Sequence, residues 1–328
     1  MATYKEIHGV KVQYRDSDAT AIEGDVWYNS SFGALKMYTF AAGAWASGGN
    51  LTTGRNTLGG TGTQTATLAF GGHTGPAYTD IAETYDGSSW TEGGDLNTAR
   101  YEVTGFGTQT ASFCISGYAD ADPFPANVES YDGSSWTEVA DVNAARVDAG
   151  AAGTTTAGIY FGGRTPPSTY VSVNESWNGT AWTEVANIAV VQGEMASFGT
   201  STAALRIAGT TPPNTNLTTV EDWNGTGWTE VGDVNTGRKK VVGSGIATAG
   251  IIMGGDTGPP SAPSTTTEQF DGVAWTEVAD IATARYDSGS GKASPSSLSI
   301  LFGGTPGYDY AGTEEWTVSA DIQTVAFD

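Results

Sequence analysis

The chain has 328 residues, with 46 glycines and a single cysteine, so an intramolecular disulfide framework is excluded, and without a G-X-Y period so is collagen. Only 15% of residues are charged, yet 36 acids against 14 bases give a net charge of −22, which disfavours nucleic acid and anionic lipid as partners and favours solubility. No apolar run reaches the roughly 18 residues of a membrane span, and the first residues lack a basic-then-apolar signal, so synthesis in a cytoplasm without membrane insertion is expected.

Residues 1–44 form an N-terminal arm outside the main repeat. Ile7 to Arg15 reads as extended, with His8 a surface residue. Gly24 to Tyr38 reads as a hairpin with its turn near Asn29 to Gly33. From Trp45 onward the chain repeats itself. Tryptophan recurs at Trp45, Trp90, Trp136, Trp182, Trp228 and Trp275, in steps of 45 to 47 residues. Ten residues after each stands Arg55, Arg100, Arg146, Gln192, Arg238 or Arg285. Five residues before the later tryptophans stands Tyr85, Tyr131, Trp177, Trp223 or Phe270, a series that continues to Trp316 without a following tryptophan.

Each unit predicts four short strands. A small-residue strand such as Val147 to Ala152 leads through a Gly-Thr turn into an apolar strand that ends in glycine, as in Ala66 to Gly72 or Leu298 to Gly304. A Pro/Thr-rich loop follows. A hairpin then joins the aromatic to Trp-Thr-Glu through Asp86-Gly87, Asp132-Gly133, Asn178-Gly179, Asn224-Gly225 or Asp271-Gly272, dipeptides that suit a two-residue type I′ turn. No capped segment has a period of 3.6, so the chain reads as all-β.

Four strands per unit of this length is the period of a propeller blade. The glycine doublets and the aromatic-then-tryptophan hairpin over residues 45–316 resemble kelch repeats, although Ser116 and Ala208 replace the first glycine before Gly117 and Gly209. The resemblance implies a six-bladed kelch-like β-propeller of four-stranded blades. Its last blade is closed by the outer strand at Trp45, with the 317–328 tail as the alternative closing strand. Phe40, in hairpin register before Trp45, leaves a seventh partial blade open. A sialidase Asp box needs a spacer before its glycine, which Ser130-Tyr131-Asp132-Gly133 lacks.

A tryptophan and an arginine needed in every repeat are expected to serve inter-blade packing and ion pairing. Glu138 and Asp141 are the expected partners of Arg146, and Gln192 marks a blade without the charge. Catalytic patterns are sparse. His8 and His73 lie in different regions with no nucleophile pattern, and Cys114 reads as a small core residue. Asp120 and Asp122 alternate in a loop that reads as solvated rather than as a calcium site. No cofactor, metal or catalytic residue is expected. Carboxylate pairs for glycoside hydrolysis depend on a spatial separation that spacing does not give.

The loops between second and third strands differ most among the repeats and carry proline and aromatics. This face is the expected recognition surface, with Tyr78, Tyr118, Phe124, Tyr170, Tyr308 and Tyr310 as candidate ligand contacts. The hairpin from Trp27 to Tyr38 resembles one found near the N-terminus of structural proteins of tailed, especially marine, bacteriophages, many of which carry Trp-Thr-Glu repeats. That resemblance implies a virion component, made in the host cytoplasm and oligomeric in the particle. Trp27, Tyr28, Leu35 and Tyr38 would dock to other virion proteins, and the loop face would meet a host-surface glycan or protein. A capsid decoration protein without a receptor and a propeller glycan hydrolase are the alternatives.

Overall fold

The computed structural model describes residues 13–15, 17, 25–40, 42–75, 77–120, 124–307 and 310–325. The regular elements are all β-strands, and no helix occurs among the described residues. Two compact units are present, residues 45–316 and residues 1–44 with 317–328. His8, Asp122 and Tyr308 lie outside the described residues.

In the larger unit the strands form six four-stranded antiparallel sheets. Sheet 1 comprises Gly59–Thr63, Ala66–Phe70, Ala82–Tyr85 and Trp90–Glu92, in that order. Sheets 2 to 5 repeat the pattern over residues 104–139, 150–185, 196–231 and 242–278. Sheet 6 comprises Gly289–Ser290, Leu298–Phe302 and Thr313–Thr317, and its outer strand is Ala44–Ser47. The first strands adjoin one another in a closed cycle from sheet 1 through sheet 6 and back. The arrangement is consistent with a β-propeller.

Residue size explains the radial order. First strands crowd together and are built mostly of Gly, Ala, Ser and Thr. A Cβ added at Gly60 would lie 2.5 Å from Ser290 O on the first strand of the neighbouring sheet. Second strands are covered on both faces and read as apolar runs, as in Leu68-Ala69-Phe70 and Ile300-Leu301-Phe302, all fully buried. Outer strands have one wet face, and Glu92, Glu138, Glu184, Glu230 and Glu277 are exposed there. Charge on an outer strand discourages edge pairing.

The tryptophans join neighbouring sheets. Trp90 of sheet 1 meets Phe302 of sheet 6 at 4.8 Å, Trp136 meets Phe70 at 5.3 Å, Trp182 meets Phe106 at 6.5 Å, and Trp228 meets Phe161 at 4.8 Å. Trp275 packs in a cluster with Phe198 and Leu205 of sheet 4. Trp316 has its tryptophan after all: Trp45 lies 5.5 Å away, and Trp45 Nε1 donates to Ala279 O of sheet 5 at 2.9 Å. The same bond runs from Trp182 Nε1 to Ala140 O. The N-terminal strand therefore completes sheet 6. The tail does not, because Ala320–Thr324 pairs with Ala34–Phe40 instead.

The arginines do not pair with the acids just before them. Arg146 meets Glu175 at 2.9 Å, whereas Glu138 is exposed. The same third-strand glutamate takes Arg55 (Glu83), Arg100 (Glu129), Arg238 (Glu268) and Arg285 (Glu314), with every guanidinium buried. Sheet 4 does not go without the charge. Where Gln192 stands, Arg206 of the second strand reaches Glu221 at 2.8 Å. The glutamate's other oxygen accepts a backbone N–H from the preceding linker, as from Asn97, Asn143 and Asn235, each at 2.7 Å. The linker residue's carbonyl in turn accepts from the second doublet glycine of the previous sheet: Gly72 to Arg100 at 2.8 Å, Gly304 to Arg55 at 2.9 Å.

The hairpins also differ from expectation. Tyr85 pairs with Trp90, so the loop has four residues, Asp86 to Ser89, and only Gly87 has positive φ. Asp86 Oδ1 accepts the N–H groups of Ser88 and Ser89, each at 2.9 Å, an Asx turn that replaces type I′ geometry. Those donors hold Asp86 down at about 2, and the N–H groups of Ser135 and Ser134 do the same for Asp132.

In the smaller unit Val26–Asn29 and Ala34–Phe40 form the hairpin, flanked by Gln13–Arg15 in parallel and Ala320–Thr324. Phe40 belongs to this sheet and not to a seventh blade. Trp27 is fully buried under the Arg15 guanidinium, 5.2 Å from its ring, so it presents nothing to a partner. Tyr28, Leu35 and Tyr38 are half-buried, and the exposed rings are Tyr14 and Phe32.

Removing one partner of a buried ion pair costs about 3–5 kcal/mol. Arg206→Met is expected to destabilise the protein as much as Arg146→Met, whereas Glu138→Gln leaves it unchanged. Urea unfolding of the three variants checks this, and a small effect at Arg206 would contradict its substitution for the missing arginine.

Candidate functional site

Two residues beyond each repeat arginine, or Gln192, the chain turns onto the axis. Thr57, Glu102, Asp148, Glu194, Lys240 and Asp287 occupy these positions, and all six have φ between 51° and 58°. This left-handed conformation costs a residue with a Cβ about 1–2 kcal/mol. It is held by backbone bonds passing from sheet to sheet: Glu102 N–H to Thr57 O at 2.9 Å, Lys240 N–H to Glu194 O at 2.7 Å, Thr57 N–H to Asp287 O at 2.7 Å. Strain repeated around a closed circle, with five charged residues on it, singles this ring out.

The charges are partly compensated. Arg164 pairs with Asp148 and lies 3.5 Å from Glu102, Lys240 meets Asp287 at 2.8 Å, and Lys239 lies 3.7 Å from Glu194. Burial, then the nearby Asp148 charge, pushes Glu102 up to about 8. The same two causes raise Glu194, and burial raises Asp287 against the pull of Lys240. Near neutral pH Glu102 thus favours its protonated form.

Beneath the ring an axial cavity of about 110 Å³ is lined by first-strand residues of five sheets, including Gly60, Thr104, Ser197 and Ser290, and by Ala149 just before the first strand of sheet 3. Above the ring a cleft of about 500 Å³ is lined by Asn56, His73, Tyr78, Tyr101, Tyr286 and Thr305, and it shares Thr57, Glu102, Lys240 and Asp287 with the cavity. Tyr78 and Tyr101 lie 4.5 Å apart, and His73 packs 5.5 Å from Tyr78 and 5.7 Å from Tyr101. Tyr118 lies 5.2 Å from Tyr101, with Phe124 5.7 Å beyond it. Short strand bridges seat these rings, Tyr101 opposite Tyr118 and His73 opposite Tyr78.

Three of the expected contacts, Tyr78, Tyr118 and Phe124, therefore come together. Tyr170 stands apart beside Arg164, 6.0 Å from its ring, and Tyr310 lies over Arg285 at 5.0 Å in a separate hollow. Sequence reasoning missed Tyr101, Tyr286 and the axial ring. The signal was present: charge at one repeat position in five of six units of a chain only 15% charged. Among the described residues no cluster of His, Cys, Asp and Glu has the arrangement of a metal site. Cys114 is buried, and that burial pushes its thiol up to about 12.

The sequence matches no family model, and no curated protein is significantly similar to it.

A carboxyl whose folded pKa lies above its unfolded value binds more protons in the folded state. Stability from Glu102 is therefore unaffected below pH 4.5, falls as pH rises toward 8, and levels off above. Glu102→Gln removes this dependence. The stability of the variant relative to the wild type should grow over that window in paired denaturation curves, and a constant difference would contradict the raised pKa.

Proposed function

We propose that residues 45–316 form a six-bladed, kelch-like propeller carried by a tailed bacteriophage particle, and that the cleft around Tyr78 and Tyr101 holds a glycan of the host surface. The observation that carries this reading is the convergence of His73, Tyr78, Tyr101, Tyr118 and Phe124 on the variable loop face, beside the charged axial ring. Aromatic faces stack on the apolar face of a sugar, and fixed carboxyl, amide and hydroxyl groups orient its hydroxyls. Six sheets, a closed order of first strands and a tryptophan–tryptophan seam at the chain ends support the propeller. The smaller unit is the element that attaches to other virion proteins, and its exposed Tyr14 and Phe32 suit that role better than Trp27.

Catalysis is the second reading, and one observation favours it. Glu102, held protonated, and Asp287 line the same cleft. A raised acid beside a second carboxylate is how glycosidases divide their roles. Against it, Asp148 and Asp287 are already tied to Arg164 and Lys240, so neither is a free nucleophile or base.

Tyr78→Ala and Tyr101→Ala should each weaken binding to host cells or to their purified surface glycans about ten-fold, or about 1.4 kcal/mol. Tyr170→Ala and Tyr310→Ala should leave it unchanged. Equal loss in all four, or none, would refute the cleft. Sugar release by the wild type that disappears in Glu102→Gln would favour the hydrolase.

A further inference from the structure

The turn between first and second strands has two residues in sheets 1 to 5 but seven in sheet 6, Gly291 to Ser297. Lys292 stands at the repeat position held elsewhere by Gly62, Gly107, Gly153, Gly199 and Gly245. The longer turn leaves its sheet and crosses the axis. Gly245 N–H donates to Lys292 O, Ala293 N–H donates to Gly62 O, and Lys292 Nζ donates to Thr104 Oγ1 of sheet 2 at 3.0 Å. Lys292 lines the axial cavity, and with Ala293 it also lines a small hollow of about 20 Å³ beside Gly107, Gly153 and Gly199. It forms the floor between the two.

Lys292 forms no ion pair with any described carboxylate, although four carboxylates ring the other end of the cavity. The ammonium donates to the Thr104 hydroxyl. An ammonium has three donors, so two are left for another acceptor. Thr104 accepts from the lysine and keeps its own proton to donate. The walls at this level are Gly60, Ala151, Ser197, Gly243 and Ser290, and the two serines bond to backbone carbonyls, Ala151 O and Gly243 O. Lys292 is half-buried, and an ammonium drawn out of water without a counter-charge is costly. Burial alone lowers Lys292 to about 8, so near neutral pH it still carries its proton.

The geometry points to a binding site for one small monovalent anion, a halide or a carboxylate of one or two carbons, held in the axial cavity by Lys292 Nζ and Thr104 Oγ1. The cavity of about 110 Å³ has room for such an ion with water beside it. The site does not depend on what the cleft above it binds.

Thermal unfolding of the full chain near pH 6.5 tests it, in sodium acetate or chloride against sodium gluconate at equal ionic strength. The wild type should show a saturating rise of about 2 °C or more in the small anions. Lys292→Met should show no rise. An absent rise in the wild type, or an equal rise in the variant, overturns the site. Wild-type crystals soaked in sodium bromide give a measurement independent of the variant. An anomalous peak within hydrogen-bonding distance of Nζ is expected, and an empty cavity at saturating bromide overturns the proposal.

Discussion

The buried glutamate on each third strand is the constraint from which the larger unit follows. Its carboxylate holds a guanidinium with one oxygen and the N–H of the incoming linker with the other, as Glu175 does for Arg146 and Asn143. The linker's carbonyl binds the doublet glycine of the previous sheet. One acid therefore locks its own sheet, the linker and the sheet before it. The glutamate clamp recurs in all six sheets and the glycine bond at five of the six seams, Arg146 O accepting from Tyr160 Oη instead, and together they fix where the chain turns inward two residues later. The charged ring, the cavity below and the aromatic cleft above all hang on that turn. Sheet 4 demonstrates the constraint by breaking the pattern: the arginine is lost from the linker, and Arg206 brings the same charge to Glu221 from another strand.

The two faces of the unit divide the work. Turns between first and second strands are short and alike, except in sheet 6, where the extra residues bar the axis with Lys292. Loops between second and third strands are long, proline-rich and dissimilar, and the tyrosines gather there. Five of the acids, Glu92, Glu138, Glu184, Glu230 and Glu277, lie on exposed outer strands, where charge keeps edges apart. Acids on the axis are instead matched by Arg164, Lys239 and Lys240. Net charge thus describes solubility, and it says little about the site.

Period, strand count and the aromatic–tryptophan hairpin were legible in the sequence because each repeats in register along the chain. Pairing of Trp45 with Trp316 was legible for the same reason, since each lacked its own partner in the count. The arginine partners were not. Glu138 is nearer to Arg146 in sequence, but it sits on a wet outer strand, and the strand order brings Glu175 from 29 residues away. The Asx loops were misread because the residues that favour a type I′ turn also cap a four-residue loop. Of the candidate contacts, Tyr78, Tyr118 and Phe124 converge because adjacent loops of sheets 1 and 2 carry them. Tyr170 and Tyr310 occupy the same kind of loop elsewhere on the circle, and loop type alone does not give distance. The axial ring went unread because its residue types vary from Thr to Glu to Lys, and only the shared position marks it.

The proposal that this chain is a recognition module of a virion is tested most directly by immunogold electron microscopy of phage particles released from cells that express it, with an antibody raised against residues 45–316. Label confined to the tail or its fibres is the predicted result. Label spread over the capsid would contradict the recognition role and favour decoration. Absence of label on intact particles, with an antibody that binds the soluble protein, would contradict the virion assignment altogether.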